Sequence, residues 1–226
     1  MIEVRDLWKT YYVKGEPKSV ARGLNLSFPS RGSVGLFGRN GAGKSTLLRM
    51  IAGSEDPDSG DIISDGTISW PVGFAGSFHG ELTGAQNVRF VGRVYGVDTD
   101  DLVEYVREFA GLGAHFNARF QTYSSGMRSR LAFGLSMGIK FDTYLVDEVT
   151  SVGDAAFRER STSLLQERIN ESAAIIVSHS MPLMKKLCNK GIVMINGHAK
   201  LFDEIDEAIE THEAAMKGAT PDWAQA

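Results

Sequence analysis

The sequence is short of several things, and each shortage closes off a class of protein. One cysteine, Cys188, stands in 226 residues, so no disulfide can form within the chain and a stapled extracellular scaffold is excluded. A reducing cytoplasm suits that count. There is no basic surplus: 24 Lys and Arg against 28 Asp and Glu give a formal net charge of −4. No basic stripe stands out either, so nucleic acid is not expected as a partner. No run approaches the roughly 18 uncharged apolar residues of a membrane span, so work at a membrane would need another subunit to hold the chain there. The opening Met1-Ile2-Glu3-Val4-Arg5-Asp6 lacks the basic stretch and apolar run of a signal peptide. Repeats and low-complexity segments are missing too. What is present is apolar material, 42% of residues, enough for one large domain or a domain with a subdomain.

The densest chemistry lies in Gly38-Arg39-Asn40-Gly41-Ala42-Gly43-Lys44-Ser45. Before it, Ser33-Val34-Gly35-Leu36-Phe37 is short and apolar enough for a buried strand. After it, Thr46-Leu47-Leu48-Arg49-Met50-Ile51 carries helix formers with apolar residues on one side. Strand, glycine loop and helix in that order are the context of a phosphate-binding P-loop. Glycines let successive N–H groups converge on one point, and the helix N-terminus adds partial positive charge. Lys44 would then reach the β- and γ-phosphates of a nucleotide, and the Ser45 hydroxyl would ligate Mg²⁺.

Elsewhere the pattern predicts strands over 2–8 and 24–28, with the turn cluster Gly15-Glu16-Pro17-Lys18-Ser19 between them. Strand-like pieces recur near 61–64 and 67–74. The chain then changes character, with a small, polar, glycine-bearing stretch over 75–81 and three helical stretches up to about 139. Leu102, Val106, Phe109 and Ala110 share one face of the second, which Asp98 or Thr99 would cap. Past this helical insert, Thr143-Tyr144-Leu145-Val146 delivers Asp147 and Glu148 at the end of an apolar strand, where open α/β sheets bind ligands. A helix over 154–170 precedes the buried-type strand Ala173-Ala174-Ile175-Ile176-Val177, which stops at Ser178-His179. Cys188 reads as a core-edge residue. Strands over 191–195 and 199–202 flank Asn196-Gly197, a strong hairpin signal, and a helix over 204–216 follows.

Five elements join the P-loop: Leu145-Val146-Asp147-Glu148, Tyr123-Ser124-Ser125-Gly126-Met127, Ser151-Val152-Gly153-Asp154, His179 and Tyr11. Together they resemble the ATP-binding subunit of ABC transporters along nearly the whole chain. The resemblance implies an α/β P-loop NTPase fold over 1–226, a single nucleotide-binding domain. Its RecA-like core would carry an antiparallel β part and a helical subdomain at approximately 75–139. It implies that Gly38, Arg39, Asn40, Gly41, Ala42, Gly43, Lys44, Ser45 and Thr46 hold ATP, and that Ser45 and Asp147 hold Mg²⁺, Asp147 through water. Lys44, Glu148 and His179 would be catalytic: Glu148 as general base, His179 as the switch that senses the γ-phosphate. Tyr11, or less readily Tyr12, would stack on adenine, although an ordinary half-buried strand tyrosine fits the same pattern.

In the family, the segment at 123–127 usually reads Leu-Ser-Gly-Gly-Gln, so three of its five positions differ here. Ser124 and Gly126, the two that normally touch phosphate, are retained. By the same resemblance Asp154 lies in the loop that meets a partner protomer, and it also opens a helix as a plain N-cap. The family's glutamine before the helical insert is absent from Trp70-Pro71-Val72-Gly73-Phe74-Ala75-Gly76-Ser77-Phe78-His79-Gly80-Glu81-Leu82-Thr83-Gly84. Gln86 comes too late, which leaves that role to Ser77 or to water.

Trp70-Pro71-Val72, Glu81-Leu82-Thr83-Gly84 with Asn87-Val88, Tyr123 to Arg130, and Asp147 to Asp154 are similar to polysaccharide exporters, specifically the ATPase subunit of capsular-polysaccharide exporters. That likeness implies a homodimer of ATPase subunits, an integral-membrane permease, polysaccharide-export accessory proteins, and a place on the cytoplasmic face of the inner membrane. The alternatives are an O-antigen or teichoic-acid exporter, a soluble ABC ATPase, and a P-loop kinase.

Overall fold

The computed structural model describes residues 1–225 except 75, 77 and 148–153. The strands are β1 (Ile2–Val13), β2 (Glu16–Phe28), β3 (Gly32–Gly38), β4 (Ser59–Ser64), β5 (Ile68–Pro71), β6 (Thr143–Asp147), β7 (Ala173–Val177), β8 (Lys190–Ile195) and β9 (His198–Phe202). The helices are α1 (Lys44–Ile51), α2 (Gly84–Val94), α3 (Thr99–Ala110), α4 (Ser125–Gly138), α5 (Ala155–Glu171), α6 (Met181–Leu187) and α7 (Ile205–Met216). Two compact units divide them: Met1–Pro71, Asp142–Glu148 and Ile169–Ala226 form the first, Val72–Phe141 and Val149–Arg168 the second. Among the described residues no helix is long and apolar enough to cross a membrane.

In the first unit, β1 and β2 form a hairpin through Lys14 and Gly15, both at positive φ (53° and 87°). That turn is tighter than the cluster expected over 15–19. Two left-handed residues reverse the chain at once, so both strands run well past their expected ends. Pro17 is tolerated because β2 is an edge strand of the three-stranded antiparallel sheet β2-β1-β4. As a result Tyr11 lies directly across from Lys18. The second sheet has the order β5-β6-β7-β3-β8-β9, parallel except for the β8–β9 hairpin, which turns at Asn196 (φ 52°) and Gly197 (φ 84°). Its inner strands are buried along nearly their whole length, as parallel strands covered on both faces must be. β5 is shorter than the strand expected over 67–74, because Pro71 offers no N–H to the ladder and Gly73 turns away at φ 81°.

The core of this unit joins the two sheets around α1. Ile2, Val4, Leu7, Leu24, Leu26 and Phe28 face it from the small sheet, and Val34, Leu36, Leu145, Ile175 and Ile192 from the large one. Leu47 and Leu48 of α1 are fully buried in the same cluster. The helix that follows the glycine loop is therefore clamped, which fixes where its N-terminus points.

In the second unit, Asp98 caps α3 by accepting from the amides of Asp100 (2.9 Å) and Asp101 (3.0 Å), and Thr99 is the first helical residue. The unit reaches beyond the expected span of 75–139 because α5 brings Phe157 to 5.5 Å from Phe109, which itself stacks on Phe133 at 5.6 Å. An aromatic cluster of this kind adds about 0.5–1.5 kcal/mol per pair beyond simple burial.

Candidate functional site

The P-loop links the C-terminal end of β3 to α1 at the centre of the large sheet. Gly43 caps α1 at φ 105°, and a Cβ there would lie 2.9 Å from both Cβ and O of Val20, so only glycine fits. The first-turn amides of α1 have no acceptor within the helix and point out of its N-terminus toward the loop. Lys44 Nζ folds back over the loop and donates to the carbonyls of Gly38 (2.8 Å) and Arg39 (3.3 Å). Tyr11, Tyr12, Val13, Lys18, Val20, Asn40, Gly41, Gly43, Lys44, Ser45 and Thr46 surround a cleft of about 480 Å³. Nothing in the residues next to Lys18 marks it as part of a cleft. Its signal was its register opposite Tyr11, which only the length of the hairpin reveals.

Two further expected residues share this edge of the sheet. Asp147 ends β6 level with Val177 of β7, one strand removed from β3, and His179 follows β7 directly. Two strand spacings separate β6 from β3, about 10 Å. Ser45 and Asp147 offer two oxygen donors, which suits an ion that keeps most of its water. Among the described residues no group of three or more His, Cys, Asp or Glu could hold a metal alone. Glu148 and Ser151-Val152-Gly153 lie outside the described residues. His212 of α7 also belongs to this neighbourhood: burial first, then the charge of Lys44, lowers its pKa, and its Nδ1 is buried without a hydrogen-bond partner.

Tyr11 and Tyr12 differ sharply in setting. Tyr12 is 78% exposed, whereas Tyr11 is half-buried and its hydroxyl donates to Glu55. Glu55 also receives Arg49 Nε at 2.9 Å, and Lys9 stands 3.7 Å away. Burial by itself would raise the Glu55 carboxyl, but the hydrogen bonds from Tyr11 and Arg49 and the charges of Arg49 and Lys9 hold it below the ordinary range.

The second unit holds the remaining candidates. Ser124 is the N-cap of α4, its Oγ accepting from Met127 N at 3.3 Å. Its approach is fixed by Tyr123, buried with its hydroxyl on the His115 carbonyl (2.7 Å), and by Arg128, which donates to the carbonyls of Tyr123 (3.1 Å) and Gln121 (3.0 Å). Gly126 opens onto empty space: a Cβ there would meet nothing within 4 Å. Asp154 precedes α5, accepts from Phe157 N at 2.9 Å, and pairs with Arg130 at 2.6 Å. The Phe157 amide, then Arg130, keeps the Asp154 carboxyl below its usual value. Ser124, Gly126, Arg130, His115 and Asp154 line one cavity of about 440 Å³. In the stretch without glutamine, Ser77 lies outside the described residues, and Gln86 is committed to a capping box with Thr83. The sequence also gave no hint of what Asn87 does there: it is 1% exposed and bonds His79 and Thr83, fixing the loop that leads into α2.

The profile described as ABC transporter matches residues 21–151. The chain is 52% identical over 216 residues, 94% of its length and 96% of the relative's, to the polysialic acid transport ATP-binding protein KpsT of Escherichia coli. It is 41% identical to the ATP-binding protein BexA of Haemophilus influenzae, over 96% of this chain and 100% of that protein. Among solved structures, the dimeric post-hydrolysis ATP-binding cassette MJ0796 bound to ADP and Pi superposes with a TM-score of 0.77 at 19% identity, covering 90% of this chain and 98% of that one. That likeness is one of fold. With the family profile spanning more than half of the chain and its relatives matching end to end, the chain belongs to the ABC transporter family.

Proposed function

We propose that this chain is the ATPase subunit of a transporter that exports capsular polysaccharide across the inner membrane. The observation that carries the reading is the 52% identity, over nearly the whole length of both chains, to a polysialic acid transport ATP-binding protein. In this reading ATP lies with its phosphates on the amides of the P-loop. Lys44 leaves the Gly38 and Arg39 carbonyls to meet the β- and γ-oxygens. Bound Mg²⁺ would neutralise phosphate charge, with Ser45 and Asp147 as its protein donors. Glu148 orients and deprotonates the attacking water, and His179 holds the γ-phosphate until it leaves.

Two copies pair head to tail, so that Ser124 and Gly126 of one reach the γ-phosphate held by the P-loop of the other. The open space at Gly126 and the helix N-terminus of α4 suit that approach. The dimer docks on a permease at the cytoplasmic face of the inner membrane, alongside polysaccharide-export accessory proteins. The test is complementation of a strain lacking this gene. Wild type should return polymer from the cell interior to the surface, and Glu148→Gln should bind ATP yet leave polymer inside. Unchanged surface polymer in the deletion strain would refute the capsule assignment, and unchanged nucleotide binding by Lys44→Ala would refute the site.

A further inference from the structure

Tyr11 is held on three sides. Its hydroxyl donates to Glu55, 44 positions away in the sequence, and stands 3.4 Å from Thr46 Oγ1. Lys9, two residues earlier on the same strand, places its ammonium 5.6 Å from the ring centroid. Lys9 is itself tied down: Nζ donates to the Asp56 carbonyl at 2.7 Å and pairs with Asp58 at 3.3 Å, while Asp58 accepts from Thr10 N at 2.7 Å. Arg49 closes the ring of bonds by donating to Glu55 (2.9 Å) and, more loosely, to Thr46 Oγ1 (3.3 Å). One face of the tyrosine is thus covered by a cation and its outer edge is pinned, while the side chain lines the cleft beside the P-loop.

A stacking surface is worth most when it cannot turn. A ring free to swing about χ1 must be ordered when a base arrives, and that entropy is subtracted from the stacking energy. A ring whose hydroxyl is already anchored costs less to order. We propose that Glu55 is a positioning residue for nucleotide binding: its hydrogen bond from the Tyr11 hydroxyl holds in place the ring against which the base stacks, with Lys9 covering the opposite face. This rests on the reading of Tyr11 as the base-stacking residue. It assigns a role to a carboxylate that stands behind the lining of the cleft. It also explains why Tyr11, and not the exposed Tyr12, is the prepared ring.

The test compares two ligands on the full-length chain by titration calorimetry: Mg-ATP, which has a base, and Mg-tripolyphosphate, which engages the P-loop without one. Tyr11→Phe keeps the ring and loses the hydroxyl; Glu55→Ala loses the acceptor. Each is expected to weaken ATP about three- to tenfold, part of what a base–aromatic contact contributes, with tripolyphosphate affinity unchanged. The double variant should be no weaker than either single one, because both remove the same bond. Should Glu55→Ala fold poorly, Tyr11→Phe carries the same comparison. The proposal is overturned if tripolyphosphate weakens in step with ATP, since Glu55 would then act on the P-loop through Arg49 and Thr46. It is equally overturned if Tyr11→Phe binds ATP like the wild type, or if the two effects add. Tyr11→Ala separates the layers: it should weaken ATP about tenfold or more. If it does not, the stacking reading itself fails and Glu55 has no ring to position.

Discussion

Replacing Asn87 by alanine removes a side chain that is 1% exposed and holds the loop into α2 in shape. Its Oδ1 accepts from His79 N at 2.8 Å, and its Nδ2 donates to the carbonyls of His79 and Thr83, both at 3.1 Å. Nδ2 also stands 3.4 Å from the Leu82 carbonyl, too long to count for much, and the three shorter bonds are not equal in consequence. The Thr83 carbonyl also receives Asn87 N (3.0 Å) and the His79 carbonyl receives Leu82 N (3.2 Å), so both stay bonded when the amide is gone. The His79 N–H instead loses its acceptor. Counting about 1 kcal/mol for that donor and about 0.5 for each carbonyl bond gives a loss of about 2 kcal/mol.

Asn87→Asp sharpens the test. An aspartate keeps the acceptor for His79 N but turns a second oxygen toward the two carbonyls, and only the protonated acid can donate to them. Its folded pKa must therefore rise, the folded state binds the extra proton, and stability recovers as pH falls from about 7 toward about 5. Asn87→Ala has no such recovery. Urea unfolding followed by far-UV circular dichroism at both pH values measures this. A loss below about 0.5 kcal/mol for the alanine variant, or an aspartate variant indifferent to pH, would refute the reasoning.

Gly126→Ala meets no atom within 4 Å and sits in the first turn of α4, so thermal stability should hold or rise slightly. If a partner-held phosphate approaches there, steady-state ATPase should nonetheless fall about tenfold or more through misplacement of that phosphate. Unimpaired turnover would exclude the approach. His212 titrates below its ordinary 6.5 when folded, so the folded chain binds fewer protons than the unfolded one, and stability present at neutral pH drains away as pH falls below about 6.5. His212→Phe should flatten the difference in urea midpoint between about pH 7.5 and about pH 5.5, and an unchanged slope would point to other groups. Burial pushes the Cys188 thiol up to about 12. It should resist maleimide at neutral pH in the native chain and react once urea unfolds it, as mass spectrometry would show.

Much of the architecture is written in short stretches whose meaning depends only on near neighbours. The P-loop is one: its glycines, Lys44 and Ser45 act through backbone geometry set within eight residues. Asn196-Gly197 closes its hairpin, Asp98 and Ser124 cap their helices, and Asp147 stands at its strand's C-terminal end, all as their local chemistry dictates. The strand ends were less legible, because Lys14 adopts a left-handed conformation that residue type alone does not favour. From that turn follow the lengths of β1 and β2 and the meeting of Tyr11 with Lys18.

Other pairings had no local signal at all. Glu55 reads as one more acidic residue in a loop, Asn87 as a polar residue in a helix, and His212 as part of a tail helix. Each acquires its role from a partner delivered by the closed fold: Glu55 from Tyr11, Asn87 from the loop at His79, His212 from Lys44. The sequence by itself determined which groups bear the chemistry, because glycine spacing, caps and strand ends act over a turn or less. Only the tertiary structure decided which of them are held still, because that depends on contacts that residue types do not announce, such as the Tyr11–Glu55 bond across 44 positions, which exists only after α1 has been clamped between its two sheets.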